Sequence, residues 1–414
     1  MTVRIDHDLD PFALGARSGL LWARHGRILA GVGEYARIPL GRPQGFETAM
    51  VALAGLTGRD EVGRPGSGPV AFAALPFDPD AHGELIVPRL VVGASTSGHR
   101  WITEIVERPH DGREPMSTPT DQLVAQAMAV GSHRRSGPQP TRLVLESTLR
   151  PEYWRDEIVG HARQAIRDGR LDKAVLAREL TVSADTAFDP AVIMTRLART
   201  FPQANLFLID GFFAASPETL VARLDDMVRA HPLAGTLPRS NDPDQDRRLA
   251  AELVASTKNQ WEHRIVIDWL LDNLLPFCSY VDAEPEPSIV SLANVHHLGT
   301  KVEGRLSSPP ASALELVAAL HPTPAVGGNP QKDALSLIAE LEQADRGRYA
   351  GPTGWVDAHG NGEFAVSVRS AQFEAADRVR LFAGVGVVAD SDLEAELEET
   401  RAKFQAILGA LIRP

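Results

Sequence analysis

Residues 378–404 read RVRLFAGVGVVADSDLEAELEETRAKF, and the fold class turns on how they are taken. An apolar strand runs into a glycine-rich turn, and the turn into a charged helix. Residues 384–389 match G-x-G-x-x-A, the glycine pattern of a dinucleotide-binding unit. That unit needs a further strand after the helix, with an acidic residue about 20 positions on. The sequence reaches Pro414 without one, so a nicotinamide site is not expected, and the glycines are read instead as letting a ligand approach the backbone. Upstream, strand-like runs (KAVLAREL, NLFLIDGFFA, FAVSVRSAQF) alternate with helix-like runs at 151–169, 244–275, 331–344 and 392–411. Few neighbouring strands are separated by one neat helix. The expectation is therefore α+β, with extensive antiparallel sheet layers flanked by helices, and not a doubly wound parallel sheet.

Composition narrows the function classes. The chain has 414 residues, 43% hydrophobic and 23% charged, the balance of an ordinary folded protein. Cys278 is its single cysteine, which excludes an internal disulfide and a thiolate zinc site. Acidic residues outnumber Lys plus Arg by 54 to 42, a formal net charge of -12, so nucleic-acid binding is not expected. An anionic substrate would need local cations or a metal to hold it against that average field. No basic leader precedes an apolar core at the N-terminus, and no apolar run approaches the roughly 18 residues of a membrane span. The expectation is a cytoplasmic protein that does not enter a membrane. Two stretches read as loops: 58–69, and 109–140 with a short helical patch at 122–128.

Two helices carry acids at telling positions. At 100° per residue, Leu393, Leu397, Phe404 and Leu408 form the apolar stripe of the last helix, with Ser391 or Asp392 as N-cap. Glu396, Glu399 and Lys403 share a face beside that stripe, while Glu394, Glu398 and Arg401 point to solvent. A solvated Glu399–Lys403 pair would explain the same pattern; a metal carboxylate beside an ammonium is the functional alternative. In STKNQWEHRIVIDWLLDNLLP (256–276), Trp261, Ile265 and Trp269 mark the expected apolar face, and Glu262 lies one residue from it. One carboxylate from each helix would suit a hard cation whose remaining ligands are water and substrate. Lys173, at the start of a strand, could be an edge lysine or, if buried, a general base. Glu218 follows Ser216-Pro217, which interrupts an apolar strand; a carboxyl tucked there could be held protonated and serve as an acid.

From 171 to 411 the chain resembles the chorismate-utilising enzymes, and within them the isochorismate synthases. The resemblance rests on KAVLAR, ASPE, HPLAGT, STKNQWEH, NVHHLGT, HPTPAVGGNP, DRGRYAGPTGW, GNGEFAVSVRSA, AGVGVV and EAELEETRAK, in that order. It implies one chorismate-binding fold over 1–414, with 1–142 its variable N-terminal part and 143–414 the core that bears the motifs. It further implies Lys173 as the base that activates water and Glu218 as the acid that protonates the departing ring hydroxyl. Glu262 and Glu399 match magnesium ligands, with Glu396 an acidic neighbour. Arg369 and Lys403 match cations near substrate carboxylates, and Gly384 a backbone contact. Gly235 and Thr236 match the loop lining the substrate, His297 the histidine of the "HL" motif, and Ala325 and Tyr349 pocket walls.

The implied reaction is an isomerisation of chorismate to isochorismate by a monomer that needs magnesium, its product feeding siderophore or menaquinone synthesis. The aminating branch generally lacks the lysine, and the aminodeoxychorismate branch often has a nucleophilic lysine where this chain has Ala234. Salicylate synthase, which goes on to eliminate pyruvate, is the alternative; it typically has Thr at the position of Ala325. A non-catalytic chorismate-binding paralogue would have no need of both Lys173 and Glu218. The chain departs from the family pattern at Ala214, Gly327, Val385 and Val387, and 370–381 is one residue longer than usual.

Overall fold

The computed structural model describes residues 1–41, 45–107, 118–132, 139–240, 242–293 and 295–412. Parts of the 109–140 loop and Asn294 of NVHHLGT fall outside these; the helical patch at 122–128 lies within a helix, Thr120–Ser132. Among the described residues, 19 strands form one hydrogen-bonded network, and three more form a small separate sheet. All pairings between named strands are antiparallel, as the scarcity of single-helix crossovers implies.

The network folds into two layers. One runs through Gly83–Ala94, Arg27–Leu40, Leu20–Arg24, Asn205–Ile209, Phe212–Ser216, Ser370–Ala375, Arg378–Val387 and Lys173–Ala184. The other runs through Val70–Ala74, Pro352–Asp357, Gly362–Val366, Thr219–Leu224, Met227–His231, Val302–Leu306 and Cys278–Ala283. Trp22, Phe72, Phe207 and Trp355, all fully buried, fill the space between the layers. Strands from before and after residue 142 therefore share one ladder: Leu20–Arg24 pairs with Asn205–Ile209, and Val70–Ala74 with Pro352–Asp357. Buried apolar surface is worth about 25 cal/mol per Å², so this tryptophan-rich seam is a main source of cohesion between the layers.

Four local readings are corrected. The helix expected over 244–275 is two helices, Pro243–Ala255 and Thr257–Leu274. Ser256 separates them; its backbone is extended (ψ 112°) and its hydroxyl accepts the Asn259 N–H, so it caps the second helix. The strand expected over 205–214 is a hairpin that turns at Asp210-Gly211, both at positive φ, which is the Asp-Gly turn signal. The strand expected over 364–373 breaks between Val366 and Ser370, with Arg369 at φ 52°. Finally, Thr257–Leu274 buries His263, Val266, Ile267 and Leu270, while Trp261 is 48% exposed. The two tryptophans lie to one side of the buried stripe, and their size had weighted the reading towards the wrong face.

Candidate active site

Strand Lys173–Ala184 pairs with Arg378–Val387 in the register Ala174↔Val387, Val175↔Gly386 and Ala177↔Gly384. The two glycines of the turn thus lie in the strand, against the strand of the lysine. The helix Leu393–Ile412 follows at once; Asp392 caps it, its Oδ1 accepting the Ala395 N–H at 2.9 Å. Helix Thr257–Leu274 and the small sheet of Leu233–Pro238, Ser288–Ser291 and Val295–Gly299 close the other sides.

Between them lies a cavity of about 450 Å³, large enough for a small organic acid. Its walls include Glu218, Gly235, Thr236, Glu262, His297, Ala325, Tyr349, Arg369, Gly384, Glu396, Glu399 and Lys403. The fold thus gathers twelve of the thirteen sequence-derived site residues around one space. The thirteenth, Lys173, is 1% exposed and sits just behind the wall, its Nζ 2.8 Å from Glu262 Oε1. Gly386 makes that meeting possible: a Cβ there would lie 2.6 Å from Glu262 Oε1 and 2.9 Å from Lys173 Cε.

Glu218 occupies the joint between strands Phe212–Ser216 and Thr219–Leu224, where Pro217 prevents a continuous ladder. The Ser216 hydroxyl donates to Val366 O at 2.6 Å and accepts the Glu218 N–H, which fixes the joint. Burial pushes the Glu218 carboxyl up to about 7, against the opposing pull of the Leu233 N–H, Arg369, Lys173 and Lys403. It is therefore substantially protonated near neutral pH.

Arg369 reaches the cavity because its backbone takes the left-handed turn that ends one strand and starts the next. Its Nη2 donates to His297 Nε2 at 2.7 Å, while its buried Nε has no hydrogen-bond partner among the described residues. Burial, reinforced by Arg369 and Lys403, drives the His297 imidazole well below its ordinary range, so the ring is neutral. Its Nδ1 lies 3.3 Å from Gly235 O and 3.0 Å from Thr236 Oγ1. A carbonyl only accepts, so the proton belongs on Nδ1 and Nε2 is free to accept from arginine. Gly235, at φ 78°, provides the kink that turns its carbonyl to the ring.

The three acids each meet one lysine. Lys173 pairs with Glu262, Lys403 with Glu399 at 2.6 Å, and Lys258 with Glu396 at 3.5 Å. Lys403 also donates to Gly384 O at 2.7 Å. Burial alone would raise the Glu262 carboxyl, but Lys173 holds it below the usual carboxylate range. Glu396 is pushed up to about 7, by burial first and then by the negative charge of Glu399. Among the described residues no three Asp, Glu, His or Cys side chains cluster tightly enough to hold a metal by themselves. Magnesium asks for less than that: one or two carboxylates, with water and substrate completing the shell. The hard oxygens of Glu262 and Glu399, in a wall where carboxylates already repel one another, fit such an ion.

Sequence reasoning passed over Lys258 and Asn259, which line the same cavity. Lys258 stands four residues before Glu262, one helical turn away on the same face, and that spacing was a usable signal. Glu394 and Arg401 do point outward, to Arg155 and Glu398, yet Glu398 also borders the cavity.

A sequence profile described as "Chorismate binding enzyme" matches residues 16–412, and the chain belongs to that family. Among curated proteins it is similar to the isochorismate synthase DhbC of Bacillus subtilis, 36% identical over 83% of this chain and 81% of that one. It is 32% identical to the isochorismate synthase EntC of Escherichia coli, over 80% and 86% of the two chains. Of solved structures, the isochorismate synthase MenF of Escherichia coli superposes with a TM-score of 0.79, covering 100% of this chain and 94% of that one; at 24% identity this likeness bears on the fold alone.

Proposed function

We propose that this chain is an isochorismate synthase, isomerising chorismate with magnesium as cofactor. One observation carries the reading: a buried lysine and a buried carboxyl raised to about 7, where its acid form is well populated at neutral pH, stand at one cavity whose arginine has a donor unpartnered among the described residues. Water attack on one ring carbon with loss of hydroxyl from another needs a base for the water and an acid for the leaving group. Lys173 acts as base in its neutral form: as its bond to Glu262 is released the ammonium gives one proton to solvent, the free amine takes the proton of the attacking water, and solvent exchange afterwards returns Lys173 and Glu218 to their starting states. Glu218 gives its proton to the departing hydroxyl, which leaves as water, so atoms and charge balance and the net change is an isomerisation. Arg369 holds one substrate carboxylate through its free Nε, kept in place by neutral His297. Lys403, tied to Gly384 O, attends the other end. Magnesium held by Glu262 and Glu399 would orient a substrate carboxylate and neutralise its charge.

The names of the relatives support the same reaction, and the proximity of Lys258 to Glu396 adds a further cation at the wall. Among the described residues no helix is long and apolar enough to cross a membrane. We take the enzyme to act in the cytoplasm as a monomer. The test is product identification from chorismate and magnesium without ammonia. Isochorismate is expected, and Lys173→Ala should abolish its formation while substrate still binds. Salicylate with pyruvate as main products, or full activity of the variant, would overturn the reading.

A further inference from the structure

The strand that carries Lys173 has one complete edge and one broken edge. On the first, Ala174 to Ser183 pair without interruption with Val387 to Arg378. On the second, a short ladder with Gly328 and Asn329 ends once the Val175 N–H reaches Gly327 O. Strand Leu143–Glu146 resumes pairing only at Thr181. Between these points the backbone polar groups of Val175 and Ala177 face a place where no strand of the described residues lies. A buried backbone group without a partner is costly, so something must replace the missing strand.

Side chains replace it. Arg346 Nη2 donates to Val175 O at 2.6 Å. Glu342 Oε1 accepts the Ala177 N–H at 2.7 Å. Trp154 Nε1 donates to Ala177 O at 3.0 Å. Glu342 and Arg346 are themselves joined in a two-point pair, Nε to Oε2 at 2.8 Å and Nη2 to Oε1 at 2.5 Å. Both side chains are almost fully buried, 7% and 3% exposed. Arg346 Nη1 then donates to Val326 O at 3.0 Å, and its guanidinium lies 4.2 Å from the ring centroid of Phe77.

The two carbonyls that Arg346 holds belong to two adjoining chain segments of the cavity wall. Val175 is two residues from Lys173, and Val326 is next to Ala325; both line the cavity. We propose that Glu342 and Arg346 are positioning residues: a side-chain surrogate for a strand, fixing the Lys173 segment relative to the Ala325–Val326 wall. Neither touches the substrate space through its own charged group. A guanidinium is suited to the task, because its rigid fork bonds a carboxylate and two carbonyls at once. The proposal rests on the reading of Lys173 as base, since only then does its placement set a rate. Arg369, His297 and Lys403 stand in a turn, a strand and a helix elsewhere, so substrate affinity should be largely spared.

The test uses Arg346→Lys, Arg346→Met and Glu342→Gln in the full chain, at temperatures well below each variant's melting point. Hydrogen exchange of a peptide spanning 173–178 is measured with steady-state kinetics on the folded fraction. The expected result is faster exchange confined to that peptide and its 325–329 neighbour. With it, kcat should fall about 10- to 100-fold while KM stays within about 3-fold, the cost of a base displaced by a fraction of an ångström to one ångström. Arg346→Lys, which keeps the charge on a single donor nitrogen but loses the planar fork, should fall between wild type and Arg346→Met. Lowered melting points with unchanged kcat per folded molecule would overturn the proposal, as would a rise in KM alone. Exchange at 173–178 no faster than in wild type would overturn it independently of activity. A wild-type chain that does not turn over chorismate would refute the proposed function instead, and the exchange measurement would still decide whether the strand surrogate exists.

Discussion

Glu218→Gln separates the chemistry of the site from its stability. The amide keeps the shape of the carboxyl but cannot titrate or deliver a proton. A carboxyl moved from 4.5 to about 7 has its ionised form disfavoured by about 3 kcal/mol in the folded protein. The sign follows from proton counting. Between these values the folded state holds a proton that the unfolded state has lost, so stability is full below about pH 4.5 and is lost as pH rises through about 7. About 2 kcal/mol of that change falls between pH 5.5 and 8.5. Urea unfolding at these two pH values should therefore show wild type losing about 2 kcal/mol more than Glu218→Gln. Over the same range wild-type activity should decline as the acid ionises, and the variant's kcat should be about 10²- to 10⁴-fold lower at pH 5.5, the gap narrowing as pH rises. Parallel stability profiles for the two proteins would refute the claim that the fold raises this carboxyl. Retained kcat in the variant would refute its role as acid even if the stability difference appeared.

Arg369→Lys should raise KM for chorismate about 10- to 100-fold, since a charged hydrogen bond of about 1.5–3 kcal/mol is lost with the planar fork; steady-state kinetics checks this, and an unchanged KM would place the carboxylate elsewhere. Gly386→Ala would set a Cβ 2.6 Å from Glu262 Oε1 and 2.9 Å from Lys173 Cε. Those atoms are side-chain ends, so the melting temperature should move by only a few degrees while kcat drops about 100-fold, read by calorimetry and turnover on one preparation. Glu399→Gln should weaken magnesium binding at least about ten-fold by isothermal titration, and the magnesium needed for half-maximal activity should rise in step; identical titration curves would remove Glu399 from the ligand set.

The sequence by itself determined which chemistry-bearing residues the chain possesses and the class of its fold. Ordered motifs from KAVLAR to EAELEETRAK were enough to select the residues, because each motif is local and its residue types are demanding. The absence of regular βαβ spacing was enough to favour antiparallel layers. Some local geometry was also legible and was misread: the Asp210-Gly211 turn and the Ser256 cap both carry their ordinary signals. Tertiary structure decided the rest. That Lys173 meets Glu262, 89 residues away in the chain, is a product of strand register and of the missing Cβ at Gly386, and no sequence window contains it. The raised carboxyl of Glu218 and the neutral ring of His297 come from burial, a property of everything packed around them. The same holds for Glu342 and Arg346. In the sequence they are an ordinary i,i+4 helix pair, and only the gap in a strand ladder 165 to 171 residues earlier gives their charges a purpose.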